Sequence, residues 1–202
     1  MTQLDSLLTS RIVGLDSAVS RELKHRRSFC FEVYEREDGL WDVDAQMQDH
    51  KTYPIELANE ERAVGEPVHD MVMRVTFDTS LTIVDVQAKT IAAPYLPQCK
   101  QINPDYRNMI GLNVLKGFRA AMKERFADVA GCTHLTELAG TLPTVVIQGI
   151  GTELAARERR QALAHGGEHK KPFQLDKCHA LACDGEAVRL YYPMWYINEL
   201  KK

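Results

Sequence analysis

The sequence predicts an α+β fold, with an antiparallel sheet from the N-terminal half and helices from the C-terminal half packed on one face. Two observations predict it. Apolar residues alternate with period two in paired segments before residue 93, and turn residues separate the members of each pair. After residue 110 the apolar spacing changes to three and four.

Residues 1–27 are polar and mixed and read as an N-terminal arm. Phe29, Phe31 and Val33 alternate within Ser28–Tyr34, which predicts a strand. Glu37-Asp38-Gly39 is a turn signal, and Leu40–Gln48 alternates again, completing a β-hairpin that Asp49-His50-Lys51 ends. Met71, Met73, Val75 and Phe77 share one face of the next strand, so the Met71/Met73 stripe reads as core. Asp78-Thr79-Ser80 turns the chain, and Leu81–Ala92 runs back. Pro94, Pro97 and Pro104 forbid regular structure around Cys99.

Val114, Leu115, Phe118, Met122 and Phe126 predict a helix over Gly111–Phe126. Ala130-Gly131 breaks it, and a second helix starts near Cys132. Pro143 kinks or restarts that helix, and Val145–Leu163 continues it past Gly149 and Gly151. His165 to Lys171 reads as a solvated loop carrying His165 and His169. Val188, Leu190 and Tyr192 are expected to form a last strand ended by Pro193, its aromatic end packing as a lid. The chain reads as one domain over 1–202: an arm (1–27), an added hairpin region (28–64) and an α+β core (65–202).

At 202 residues and net charge -3, with acids and bases interleaved, there is no basic face for nucleic acid. No apolar run reaches the roughly 20 residues that a membrane span needs, and the first ten residues carry no secretory pattern. The expectation is a cytoplasmic protein that binds neither nucleic acid nor membrane. Its partner is an unidentified small molecule or protein, and the sequence does not fix its oligomeric state. The five cysteines, Cys30, Cys99, Cys132, Cys178 and Cys183, are then expected as reduced thiols. Cys30 and Cys183 read as core, and Cys178 as a possible extra ligand.

Three clusters carry chemistry-bearing side chains. Val68-His69-Asp70-Met71 heads the long strand, Pro94-Tyr95-Leu96-Pro97-Gln98-Cys99 lies where its partner strand ends, and Gly131-Cys132-Thr133-His134-Leu135-Thr136-Glu137-Leu138 opens a helix. A cysteine at a helix start favours the thiolate, which is both nucleophile and metal ligand. None of the spacings matches a zinc finger or ribbon, a Walker loop or a nucleophile elbow.

Asp38-Gly39-Leu40-Trp41, Gly65-Glu66-Pro67-Val68-His69-Asp70-Met71, Gly131 to Leu138 and Tyr191-Tyr192-Pro193 together resemble an uncharacterised bacterial family, domain of unknown function 2889. A weaker resemblance is to the NifU/IscU and SufE iron–sulfur scaffold proteins. There His69-Asp70 stands where a Cys-Gly-Asp turn opens a hairpin, Cys99 where a second Cys follows it, and Cys132 where a third starts a helix. Two departures stand out: His69 replaces the first Cys, and Gly131 replaces the His before the last.

The reading is a metal-binding protein. His69, Asp70, Cys99 and Cys132 would hold Zn, Fe or an iron–sulfur cluster, with His134 as a ligand or beside one. A metal-free thiol enzyme is the alternative, with Cys132 as nucleophile and His69 or His134 as base, oriented by Asp70 or Glu137. A third class is a non-enzymatic adaptor that holds a partner through its N-terminal hairpin.

Overall fold

The computed structural model describes residues 12–16, 19–57, 60–165 and 170–198. His169 and most of the first 18 residues lie outside them. The chain's contacts divide it into two compact units, Met1–Gly151 and Thr152–Lys202.

The first unit is built on a four-stranded antiparallel sheet. Its strands are β1 (His25–Glu35), β2 (Trp41–Lys51), β5 (Pro67–Phe77) and β6 (Ile83–Ala92), lying side by side in that order. Two-residue strands β3 (Ile55–Glu56) and β4 (Glu61–Arg62) make a separate small ladder between β2 and β5. Both expected hairpins form. The strand expected to start at Ser28 begins at His25, because His25, Arg26 and Arg27 pair with Lys51, His50 and Asp49. The arm therefore stops short of residue 25.

Alternation decides the two faces of the sheet. Val43, Ala45, Met47, Met71, Met73, Val75 and Phe77 are all buried on one face. Each fully buried side chain of this kind contributes about 1.5–3 kcal/mol. Their neighbours Asp44, Gln46, Val72 and Arg74 face the other way, around a shallow open depression that also includes Cys30, Gln87 and Lys89. Cys30 is exposed, not core, because Phe29 and Phe31 take the apolar face and the period of two turns Cys30 outward.

After β6 come a short helix α1 (Gln98–Gln101) and a 3₁₀ segment (Asn103–Met109) packed along β6. They are followed by α2 (Phe118–Phe126), α3 (Thr133–Gly140) and α4 (Leu142–Val146). Phe118, Met122, Phe126, Leu135, Leu138 and Leu142 are buried. α3 packs on β2 and β5. The helix expected from Gly111 begins only at Phe118. Residues 111–114 bond to the start of β6 instead, with Ile83 N–H donating to Leu112 O and Gly111 N–H to Ile83 O. Gly117 then re-aims the chain with φ 67°, in the left-handed region that glycine tolerates. Past α4 the helix widens into one π turn, Ile147–Gly151, where Gly149 and Gly151 fall.

The second unit holds α5 (Thr152–Ala164) and α6 (Glu186–Tyr191). The expected last strand is a correction. Val188 and Leu190 lie on α6, which follows Gly185 and carries the ion pair of Glu186 with Arg189 one turn apart. Tyr192 leaves the helix before Pro193, and 193–195 form a 3₁₀ turn. Leu175, Cys183 and Val188 make the small core, with Tyr192, Trp195 and Tyr196 packed against it. Cys183 is thus core, as expected, whereas Tyr191 and Met194 are exposed. His165 is exposed, as expected, at the end of α5. No helix among the described residues is long and apolar enough to cross a membrane.

Candidate metal centre

Sheet register builds the first half of the site. Arg27 lies opposite Asp49, and Asp49 lies opposite His69, so one row across β1, β2 and β5 carries all three. Directly opposed residues share a face, and this is the face that buries Met47 and Met71. His25, two residues before Arg27, reaches the same carboxylate, with Nε2 3.2 Å from Asp49 Oδ1.

The helix start builds the second half. Cys132 is the N-cap of α3 in extended conformation, and its side chain makes no cap bond. Tyr106 serves there instead. Its hydroxyl accepts from Cys132 N–H at 3.0 Å, lies 2.9 Å from Cys132 O, and is 2.7 Å from Thr136 Oγ1. The Tyr106 ring stacks on Phe126 at 4.6 Å and is fully buried. Gly131 lets this loop lie against α2, because a Cβ there would meet Phe126 O at 2.5 Å. The result aims His134 at the row on the sheet.

Asp49 is the centre of the cluster, with its side chain 3% exposed. Arg27 grips both oxygens, Nε to Oδ1 at 2.8 Å and Nη2 to Oδ2 at 2.7 Å, and its other arm reaches Glu137. Asp49 Oδ2 is 3.1 Å from His69 Nδ1 and 3.9 Å from His134 Nε2. The two imidazoles lie against one another, ring centroids 3.8 Å apart and tilted by 31°. Asp49, His69 and His134 each offer one ligand atom, all within 4.8 Å of one another.

Burial tends to raise the Asp49 carboxyl, but the Arg27 bonds and charge, with His25 and His69, outweigh it and hold it below the usual range. Burial pushes His69 below its ordinary value, against the pull of Asp49. Burial also lowers His134, helped by His69 and Arg27. Two neutral imidazoles and a carboxylate are the donors that Zn²⁺ and Fe²⁺ take.

The structure brings together some of the expected residues and separates others. His69 and His134 meet. Cys132 stands beside them, its Sγ 4.0 Å from His134 Nδ1 and 3.9 Å from Met71 Sδ. Asp70 follows His69 in a strand, so it points to the opposite face, where Gln46 and Gln48 each donate to it at 2.9 Å. Cys99 lies in α1, where its carbonyl accepts from Thr90 Oγ1 at 3.3 Å. Among the described residues, neither Asp70 nor Cys99 belongs to a group with metal-ligand spacing, nor does the exposed Cys178. All five cysteines are free. Glu137 bonds to Arg27 rather than to His134. The sequence alone does not mark Asp49 or its holder Arg27, for Asp49-His50-Lys51 reads there only as the end of a hairpin.

No curated protein and no solved structure matches the chain. A family model described as "Protein of unknown function (DUF2889)" matches residues 25–148, a span that holds the four-stranded sheet, Cys132 and every residue of the cluster. More than half of the chain lies in that match, and the protein belongs to this family of unknown function.

Proposed function

We propose that the protein binds a single divalent transition metal ion, Zn²⁺ or Fe²⁺, through His69, His134 and Asp49. The observation that carries this is the convergence of three ligand atoms within 4.8 Å at a buried carboxylate. Ligand atoms about 2.0–2.1 Å from a tetrahedral ion stand about 3.3 Å apart. The 3.1 and 3.9 Å separations at Asp49 Oδ2 bracket that value. Arg27 fixes the carboxylate from behind, as a partner outside the ligand set does in metal sites. The neutral His69 ring can carry its one proton on the far nitrogen, which frees the lone pair facing Asp49.

Three protein ligands leave a coordination position for water or substrate, the arrangement of catalytic rather than structural sites. Cys132, on the far nitrogen of His134, either accepts that ring's N–H or moves in as a fourth ligand. Imidazole and carboxylate donors favour one ion over an iron–sulfur cluster, which takes mainly thiolates.

The test is metal titration of chelator-stripped protein by calorimetry and elemental analysis. One equivalent of Zn²⁺ or anaerobic Fe²⁺ should bind the native protein, and His134→Ala should abolish tight binding. No saturable binding, or equal binding by the variant, overturns the proposal.

A second reading rests on the 4.0 Å approach of Cys132 Sγ to His134 Nδ1. It makes Cys132 a nucleophile with His134 as its base. Alkylation of Cys132 should then be fast and fall sharply in His134→Ala, whereas slow labelling unchanged by that variant excludes it.

A further inference from the structure

Two rows of the sheet run side by side on its buried face. The row of Arg27, Asp49 and His69 is followed, two residues along each strand, by Phe29, Met47 and Met71. Met47 and Met71 are fully buried. The first row therefore brings oxygen and nitrogen donors to this face, and the second brings sulfur. Cys132 meets the second row, with its Sγ 3.9 Å from Met71 Sδ.

The main chain of Cys132 is pinned on both sides. Its N–H donates to the Tyr106 hydroxyl, which also lies 2.9 Å from its carbonyl oxygen. Its side chain takes no part in capping α3. Sγ is left to face Met71 Sδ at 3.9 Å and His134 Nδ1 at 4.0 Å. A thiol, a thioether and an imidazole nitrogen thus meet around one sulfur. Metal–sulfur bonds of about 2.3 Å and metal–nitrogen bonds of about 2.0 Å, meeting at about 120°, set two sulfurs about 4.0 Å apart and sulfur from nitrogen about 3.7 Å apart. The observed separations fit a three-coordinate ion.

Thiolate and thioether donors select soft ions, and no carboxylate belongs to this set. Iron–sulfur clusters take mainly thiolates, and this set holds one. Cu(I) suits all three donors. As it binds, the thiol proton leaves to solvent, and thiolate and ion cancel in charge, which eases their burial.

We propose that Cys132, Met71 and His134 Nδ1 form a second, soft site that takes one Cu(I) ion. It goes beyond the reading above and needs neither Asp49 nor His69 as a ligand. The ion proposed there sits on His134 Nε2, and this one sits on Nδ1, so the two use opposite tautomers of one ring.

Anaerobic titration of the reduced protein with Cu(I), against a chromogenic Cu(I) chelator, tests it. The native protein should hold one equivalent against the competitor. Met71→Leu is a volume-conserving change that a core tolerates. It should weaken Cu(I) binding by on the order of tenfold or more, and Cys132→Ser at least as much, since losing a ligand costs no less than disturbing its surroundings. Met71→Leu should leave Zn²⁺ and Fe²⁺ binding unchanged, and His69→Gln should cost Cu(I) less than Met71→Leu does. Absorption at the copper edge should count two sulfur neighbours in the native protein and one in Met71→Leu. No copper held against the competitor, Met71→Leu binding copper as the native protein does, or an unchanged sulfur count overturns the proposal. Copper held by the exposed thiols of Cys30 and Cys178 gives that second result. Failure of the Asp49 site reads differently: Zn²⁺ and Fe²⁺ then do not bind, while copper still does.

Discussion

Arg27 holds both carboxylate oxygens of Asp49 in a fork, at 2.8 and 2.7 Å, while His25 and His69 approach the same two oxygens. The carboxylate is buried and the guanidinium partly so. Removing one partner of such a pair strands the other. Asp49→Ala should therefore destabilise the metal-free protein by about 3 kcal/mol and abolish metal binding. Arg27→Lys keeps the charge but loses the fork. Its expected signature is weakened metal affinity, about 10–100-fold, with a smaller loss of stability. Urea unfolding and calorimetry on the two variants separate these effects.

The pH dependence follows from the same cluster. Burial lowers His69 and His134 below their ordinary 6.5. In the unfolded chain they take up protons near 6.5; in the folded chain they do so only at lower pH. Between the two values the unfolded state holds more protons, so stability rises with pH there. Stability should thus fall as pH drops below about 6.5. Asp49, held low, adds a further loss only as pH falls through its own depressed value, below 3.8. Urea midpoints of chelator-stripped protein against pH should show the upper slope, and His69→Gln with His134→Gln should flatten it.

Much of the fold was legible because period-two spacing and turn residues act locally. Met71, Met73, Val75 and Phe77 announce their face in the sequence. The site was less legible because it depends on register. His69 and His134 stand out by type, but Asp49 is one carboxylate among many until β1, β2 and β5 are aligned. Counting outward from the turn at Glu37-Asp38-Gly39 would have set Arg27 opposite Asp49, and this signal was present. Pairing Asp49 with His69 was not readable in the same way, because β3 and β4 intervene between β2 and β5. Val188 and Leu190 misled for the opposite reason. Three apolar residues two apart are too few to fix a period: on the helix Val188 is buried and Leu190 is 55% exposed, so the two do not share a face, and Tyr192 lies beyond the helix end.

Gly131 offers a test of how the helix start sets the site. A methyl group there would meet the backbone carbonyl of Phe126 at 2.5 Å, and backbone cannot swing aside as a flexible side chain can. Gly131→Ala should cost about 1–3 kcal/mol, the usual cost of overpacking. The loop carrying Cys132 and His134 must shift with it, so metal affinity should fall as well. Tyr106→Phe probes the same loop more gently. It removes the hydroxyl that receives Cys132 N–H and should cost about 1–2 kcal/mol, with faster hydrogen exchange at the Cys132 amide.

Adjacent carboxylate and imidazole give the sharpest test of which face carries the chemistry. Asp70 neighbours His69 in sequence, is 8% exposed, and could be taken for the ligand that Asp49 is proposed to be. Strand geometry separates them, for His69 points toward Asp49 and Asp70 points toward Gln46 and Gln48. Asp70→Asn keeps the shape and one of the two acceptor oxygens, so a loss of about 1–2 kcal/mol of stability is expected from the weakened amide bonds. Metal affinity should stay within about twofold of the native protein. Asp49→Asn, an equally small change one strand away, should lower affinity by at least the roughly 10–100-fold that disturbing a metal site's surroundings costs. Equal losses from the two substitutions would place the ion on the outer face or on neither, and would sink the assignment to Asp49.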